Sequence, residues 1–234
     1  MRLAAAFRYD LKLQFRHGFY YAYLVVCLIY VVIIRNLPAG IQKPALTLVL
    51  LTDPSVLGFF FIGGIVLLEK GQNTLEGLFI TPIRMQEYLW SKVLSLTVLA
   101  LLSSYLIVIA SVGFSFNPLS LLLGVTLTSV LFVFLGFTLV SITKTINGYL
   151  LTSPLYAVIA MLPVIDYLGI LQSPWFYLIP TKSSLVLMDS AFQPYPAGEL
   201  LLSMVLLAGS IWLSYLWASK WFYRYVVLKT GVAL

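Results

Sequence analysis

Residues 68–92 read LEKGQNTLEGLFITPIRMQEYLWSK, a polar stretch set between two apolar runs, GFFFIGGIVL (58–67) and VLSLTVLALLSSYLIVI (93–109). It holds three of the chain's eight acids, Glu69, Glu76 and Glu87. Apolar runs on both sides of so short a polar segment read as two membrane spans joined by a connector.

Composition extends that reading to the whole chain. The 234 residues are 61% hydrophobic, 15% aromatic and only 9% charged, with a mean hydropathy of +1.01, far outside the range of soluble domains. This length accommodates about six helices of roughly 20 apolar residues each and leaves no room for a separate soluble catalytic domain. Hydropathy places spans near 18–34, 54–68, 91–113, 118–142, 149–168 and 199–219, giving an all-α polytopic membrane protein with a single membrane domain over 1–234. The lone cysteine, Cys27, sits in an apolar run, so one chain can build neither a disulfide nor a thiolate cluster. The N-terminus shows no short apolar core followed by a small-residue cleavage site, so no removable signal peptide is expected.

Lysine and arginine set the expected orientation. With the N-terminus in the cytoplasm, eleven of the fourteen fall on inner segments and only Arg35, Lys43 and Lys182 on outer ones. The positive-inside rule then puts both termini and residues 69–90 in the cytoplasm of a multi-pass plasma-membrane protein. The net charge of +6 would face anionic inner-leaflet lipid rather than nucleic acid.

Helix starts are marked by a small polar residue before proline at Asp53-Pro54, Thr81-Pro82, Asn117-Pro118, Ser153-Pro154 and Ser173-Pro174. The polar side chain can accept from orphan first-turn amides, and proline suits the first helical position. Ser153-Pro154 lies inside the fifth span, where with Pro163 it should kink or break the helix, as a functional feature or a tolerated one.

Residues 2–16 (RLAAAFRYDLKLQFR) wind as an amphipathic helix with Leu3, Ala4, Phe7, Leu11 and Phe15 on one face and Arg2, Lys12 and Arg16 opposite; Leu13 falls on the wrong side. With residue 17 the segment is expected to lie in the inner interface, with Arg2, Arg8, Lys12 and Arg16 at the headgroups. It serves as an anchor or as a contact for a cytoplasmic partner. The outer connector 169–198 is too apolar for a solvated loop and too rich in proline to span. Two short helices near 174–179 and 182–192, packed against the bundle as a partly re-entrant segment, would satisfy its backbone. Trp175, Phe176 and Tyr177 would then sit as interfacial aromatics, unless the segment serves substrate exit.

Within 68–92, Asn73 followed three residues later by Glu76 resembles a capping box. A short helix from Asn73 then sets Leu75, Leu78 and Phe79 along one apolar edge. Thr81 and Pro82 end it and begin the next helix, which carries Glu87 and Lys92 into the third span. Such a helix lies against the membrane or plugs into a groove on a soluble partner. Glu69 snorkels or pairs with a nearby cation.

Glu69, Asn73-Thr74-Leu75-Glu76, Thr81-Pro82, Glu87 and Lys92 together resemble the signature connector of ATP-binding-cassette (ABC) type 2 exporter permeases. That family commonly reads glutamate, a Gly-Thr-Leu-Glu-like run, Thr-Pro, then glutamate and lysine; here Asn73 stands where glycine is usual. The runs TDPSVLGFFFIGG (52–64) and WFYLIPTKSSLVL (175–187) are similar to the fluoroquinolone or multidrug export branch. The resemblance implies the membrane half of an exporter for amphipathic drugs, lipids or peptides. A separate ATPase subunit would bind ATP and magnesium, and a second permease chain, a copy or a homologue, would complete the pathway. Glu69, Asn73, Leu75, Glu76, Leu78, Phe79, Thr81 and Pro82 would couple to the ATPase. The sequence contains no G-x-x-x-x-G-K-[ST] phosphate loop of its own, and no cofactor is expected on this chain.

The competing classes are a membrane scaffold and a membrane-embedded enzyme. For an enzyme the candidates are His17, placed at the inner interface, and Asp166 and Asp189, expected as caps or solvated groups in outer connectors. No acid or base is expected deep in the membrane, and no metal site is indicated.

Overall fold

The computed structural model describes residues 2–72, 74–75 and 83–227. The described residues are helical almost throughout. In chain order they form α1 (Arg2–Arg16), α2 (Phe19–Arg35), α3 (Ala39–Leu50), a π-helical turn (Leu51–Ser55) and α4 (Leu57–Gly71). Beyond the connector come α5 (Met85–Val112), α6 (Pro118–Ile142), α7 (Ile146–Ala160), α8 (Pro163–Tyr167), a 3₁₀ turn (Pro174–Leu178), α9 (Pro180–Asp189) and α10 (Ala197–Tyr225). Five runs are long and apolar enough to cross a bilayer by themselves: 39–71, 85–112, 118–142, 146–167 and 197–225. α2, whose 17 residues reach the lower end of the usual 17–25 for a crossing, qualifies only together with α1 and brings the candidates up to six. α1 meets it at 64°, the bend expected where an interfacial helix turns into a span.

Lipid tails are as apolar as leucine, so association of these helices rests on close packing and polar contacts rather than on escape from water. Glycine provides the closest approaches. A Cβ on Gly136 of α6 would sit 2.9 Å from the Phe59 carbonyl and overlap Ile62, and one on Gly63 would overlap the Tyr149 ring. One core cluster, built from Phe59, Ile62, Tyr88, Phe137, Tyr149 and Phe222, fills the half of the bundle toward the termini. A second, with Leu50, Leu99, Val125 and Met188, fills the opposite half around α9.

Several boundaries differ from the sequence reading for identifiable reasons. Asp53-Pro54 does not start a helix: it lies inside one run from Ala39 to Gly71, where Pro54 lacks the amide that would bond the carbonyl four residues back. The ladder there loosens into the π turn. Asp53 caps nothing and instead accepts the Tyr23 hydroxyl at 2.7 Å. Lys43, expected in a loop, is on α3. Asn117 does cap α6, accepting from the amides of Leu119 and Ser120. In the fifth span the helix runs through Pro154 and stops at Met161 and Leu162, and Pro163 opens α8. Thr181 of α9 donates its hydroxyl to the Ala160 carbonyl at that break, so the re-entrant helix covers backbone the interruption leaves free.

The segment between α8 and α10 follows the expected pattern of two short helices. α9 is buried along its length, while Trp175 stands exposed. On α1 the residues buried against the bundle are the polar Asp10 and Gln14, while Phe15, on the apolar face, is exposed. Arg2, Arg8, Lys12 and Arg16 are exposed.

Candidate functional site

The charged residues flanking the connector converge on one point. Lys92 lies two turns into α5 and is 3% exposed. Its ammonium donates to Asp10 Oδ1 of α1 at 2.6 Å and to Glu69 Oε1 at the end of α4 at 2.5 Å. Tyr88, one turn before Lys92 on the same helix face, donates its hydroxyl to Glu69 Oε2 at 2.6 Å. The ammonium also stands 5.3 Å from the Tyr88 ring centroid, within cation–π range. A turn further along both helices, Gln14 Nε2 donates to Ser95 Oγ at 2.9 Å.

This node binds three chain-distant elements. Glu69 ends the second span, Lys92 begins the third, and Asp10 belongs to α1. A buried carboxylate costs several kcal/mol unless paired, so Lys92 locks both acids to its own helix. Two carboxylates against one ammonium leave one negative charge in excess. Asp10 Oδ2 has no hydrogen-bond partner among the described residues. The arrangement holds helices together.

The connector itself is only partly described. Asn73, Glu76, Leu78, Phe79, Thr81 and Pro82 lie outside the described residues. Thr74 donates its hydroxyl to the Glu69 carbonyl at 2.8 Å, holding the chain as it leaves α4. Leu75 is 1% exposed and packs into the first core cluster, so it seats the connector on the bundle rather than presenting an apolar edge outward. On the far side of the connector, the Glu87 carboxylate accepts the Arg84 amide at 2.8 Å and closes the first turn of α5. Crevices of about 370 and 310 Å³ flank Glu69, the first lined by His17, Gln72 and Thr74, the second by Ala6, Asp10 and Ile83.

Asp166 and Asp189 do not pair with each other. Asp166 forms an ion pair with Lys182. Asp189, at the end of α9, is 2% exposed, not solvated. It accepts from Thr47 of α3 at 2.9 Å, Tyr167 of α8 at 2.7 Å, Gln193 at 3.1 Å and Tyr195 at 2.8 Å. Four neutral donors satisfy the carboxylate without a cation. Burial, reinforced by the bond to Asp189, pushes the Tyr195 hydroxyl above its ordinary range, so it remains a donor.

Two further features escaped sequence reasoning. A cavity of about 590 Å³ opens between α4, α6, α7 and α10, lined by Phe59, Phe132, Tyr156, Trp217 and Trp221. That size lies within the range of small-molecule sites, and its walls are almost wholly apolar. The second is Asp53, an acid inside a span, which the adjoining proline disguised as a helix cap.

Comparison with known proteins agrees with the branch that the runs 52–64 and 175–187 resemble. A family model described as the fluoroquinolones export permease protein family matches residues 1–230. Fluoroquinolones export permease proteins from two strains of Mycobacterium tuberculosis, CDC 1551 / Oshkosh and ATCC 25618 / H37Rv, are each 32% identical to the chain over 240 residues. In both comparisons the match covers 99% of this chain and 99% of the relative.

Proposed function

Because the chain belongs to the fluoroquinolones export permease family and so is a permease subunit of an exporter, we propose that a separate ABC-type ATPase drives it and that its cargo is an amphipathic drug. The observation that carries this reading is the full-length family match. The geometry of the connector supports the mechanism.

ATP and magnesium sit on the partner subunit in this reading. The ATPase docks on residues 73–80, on the face that carries the termini, and that face is cytoplasmic. Closure of the ATPase pushes the connector, whose two ends are the helix bearing Glu69 and the helix bearing Lys92. Their ion pairs make α4, α5 and α1 respond as one body, so a displacement at the surface reaches the second and third spans without being dissipated in a loose joint. A second permease chain completes the pathway, and the exposed apolar faces of α2, α7 and α10 meet lipid or that partner. Fluoroquinolones are the cargo for which the relatives are named, and the apolar, aromatic cavity of about 590 Å³ suits a molecule with a planar ring body.

The test is affinity purification of the chain from its native host in mild detergent, followed by identification of what accompanies it. A stoichiometric ATPase subunit, lost when Leu78 and Phe79 are replaced by serine, is the expected result. Recovery of the intact chain without an ATPase in several detergents would refute the proposal. Charge reversal at Glu76 is expected to uncouple ATP hydrolysis from export while leaving the fold in place.

A further inference from the structure

Asp53 stands in the middle of the helical run Ala39–Gly71, roughly 21 Å of helix from one end and 27 Å from the other at 1.5 Å per residue. Neighbouring α2 shows its depth independently. The Tyr23 hydroxyl donates to Asp53 Oδ2 at 2.7 Å, and Tyr30, two turns further along α2, approaches the same carboxylate. Both tyrosines lie within a span bounded by Phe19 and Arg35. An acid at that depth is costly and is normally retained for a task, with a partner nearby.

Among the described residues no cation supplies that partner: the ion pairs involve Lys92 and Lys182, and neither includes Asp53. Tyrosine hydroxyls stabilise the carboxylate but do not neutralise it. Part of its surface stays open, since Asp53 is only half-buried. The backbone beneath it is the π turn, a form that recurs at functional sites because it aims a side chain at a position the α ladder does not offer.

Beside it lies a crevice of about 240 Å³ between α2 and α5, lined among others by Tyr20, Tyr23, Cys27 and Leu102. Tyr23 is shared: it lines the crevice, and its hydroxyl holds Asp53. The volume is below the usual range for a whole drug-sized ligand of about 300–1,000 Å³. It therefore suits one arm or ring of a molecule whose remainder lies in lipid. A carboxylate, several tyrosine rings and an apolar slot in a low-dielectric setting are the groups that recognise an organic ammonium, through a charge-assisted hydrogen bond and cation–π contact.

We propose that Asp53 and the tyrosines of α2 form an ammonium-recognition site within the membrane, which selects amphipathic amines over neutral molecules of the same shape. The proposal rests on the drug-export reading and deepens it, because it names the chemical feature of the cargo that this chain reads.

The test measures binding of norfloxacin methyl ester, whose piperazine carries a basic secondary amine, and of its N-acetyl form, which is neutral because the ester also masks the carboxylate. The full-length chain, with any subunit that accompanies it, is placed in lipid nanodiscs. The wild type is expected to bind the amine on the order of tenfold or more tighter than the acetyl form. Asp53→Asn should abolish that preference with little change toward the acetyl form. On wild-type protein alone, the ester but not its acetyl form should slow modification of Asp53 by dicyclohexylcarbodiimide. Equal affinity of the wild type for both compounds, persistence of the preference in Asp53→Asn, or absence of selective protection overturns the ammonium site and leaves the export reading in place. Failure of the wild type to bind either compound overturns the drug-cargo reading and this inference with it.

Discussion

Replacing Lys92 by methionine removes one charge and leaves two carboxylates, Asp10 buried and Glu69 partly buried, facing each other across the space it occupied. Each of its contacts, at 2.6 and 2.5 Å, has a gross Coulomb attraction of about 6 kcal/mol at an effective dielectric of about 20. Desolvating the three ions costs several kcal/mol each, so the intact node contributes little net stability. The single substitution is different, because both attractions vanish while the carboxylates remain desolvated. The expected loss is about 3–5 kcal/mol. For a chain of this size that corresponds to about 6–20 °C in the midpoint of thermal unfolding, read by intrinsic fluorescence of the purified protein in detergent. Combining Lys92→Met with Asp10→Asn and Glu69→Gln removes the charges together and should recover most of the loss. A midpoint for Lys92→Met within about 2 °C of wild type, or a neutral triple variant no more stable than the single one, would refute the claim that the node is a buried, mutually dependent set of charges.

Two further outcomes follow from the packing. Asp189→Ala orphans the donors of Thr47, Tyr167, Gln193 and Tyr195 and should destabilise by at least about 2 kcal/mol, with hydrogen exchange rising first along 180–189. Gly136→Ala forces a methyl against the Phe59 backbone and should cost about 1–3 kcal/mol. Gly64→Ala, one residue from the tightly packed Gly63 and with nothing within 4 Å, should leave the unfolding midpoint unchanged; equal effects of the two would contradict the packing described.

The spans were legible because their hydropathy is a property of consecutive residues, and Asn117 was legible as a cap because its partners, Leu119 and Ser120, are two and three residues away. What escaped depends on residues far apart in the chain. Asp10 and Gln14 look like the polar side of an amphipathic helix, and only the presence of Lys92 and Ser95, more than 80 residues later, turns them inward. Asp53-Pro54 carries the same local signature as Asn117-Pro118, yet one lies inside a span and the other at its start. The difference is set by α3, whose residues Ala39–Leu50 looked too polar at their beginning to be counted with the span. Leu75 has the apolar character expected of a partner-facing edge, but helical periodicity does not say which side of the connector the bundle occupies.

The π turn between Leu51 and Ser55 also sets what a change of length would do here. A π turn takes up one residue more than the α-helix it interrupts within nearly the same rotation, so deletion of Thr52 would let the run close up into an α ladder while α3 keeps its facing relative to α4. Thr47 would stay beside Asp189, and what would be lost is the aim of the side chains within the turn, that of Asp53 toward Tyr23 above all. Substitutions at Thr52, whose side chain is exposed, should be readily accepted. A one-residue gap here would therefore separate chains that keep the Asp53 contact from chains that lack it, with the clasp around Asp189 common to both.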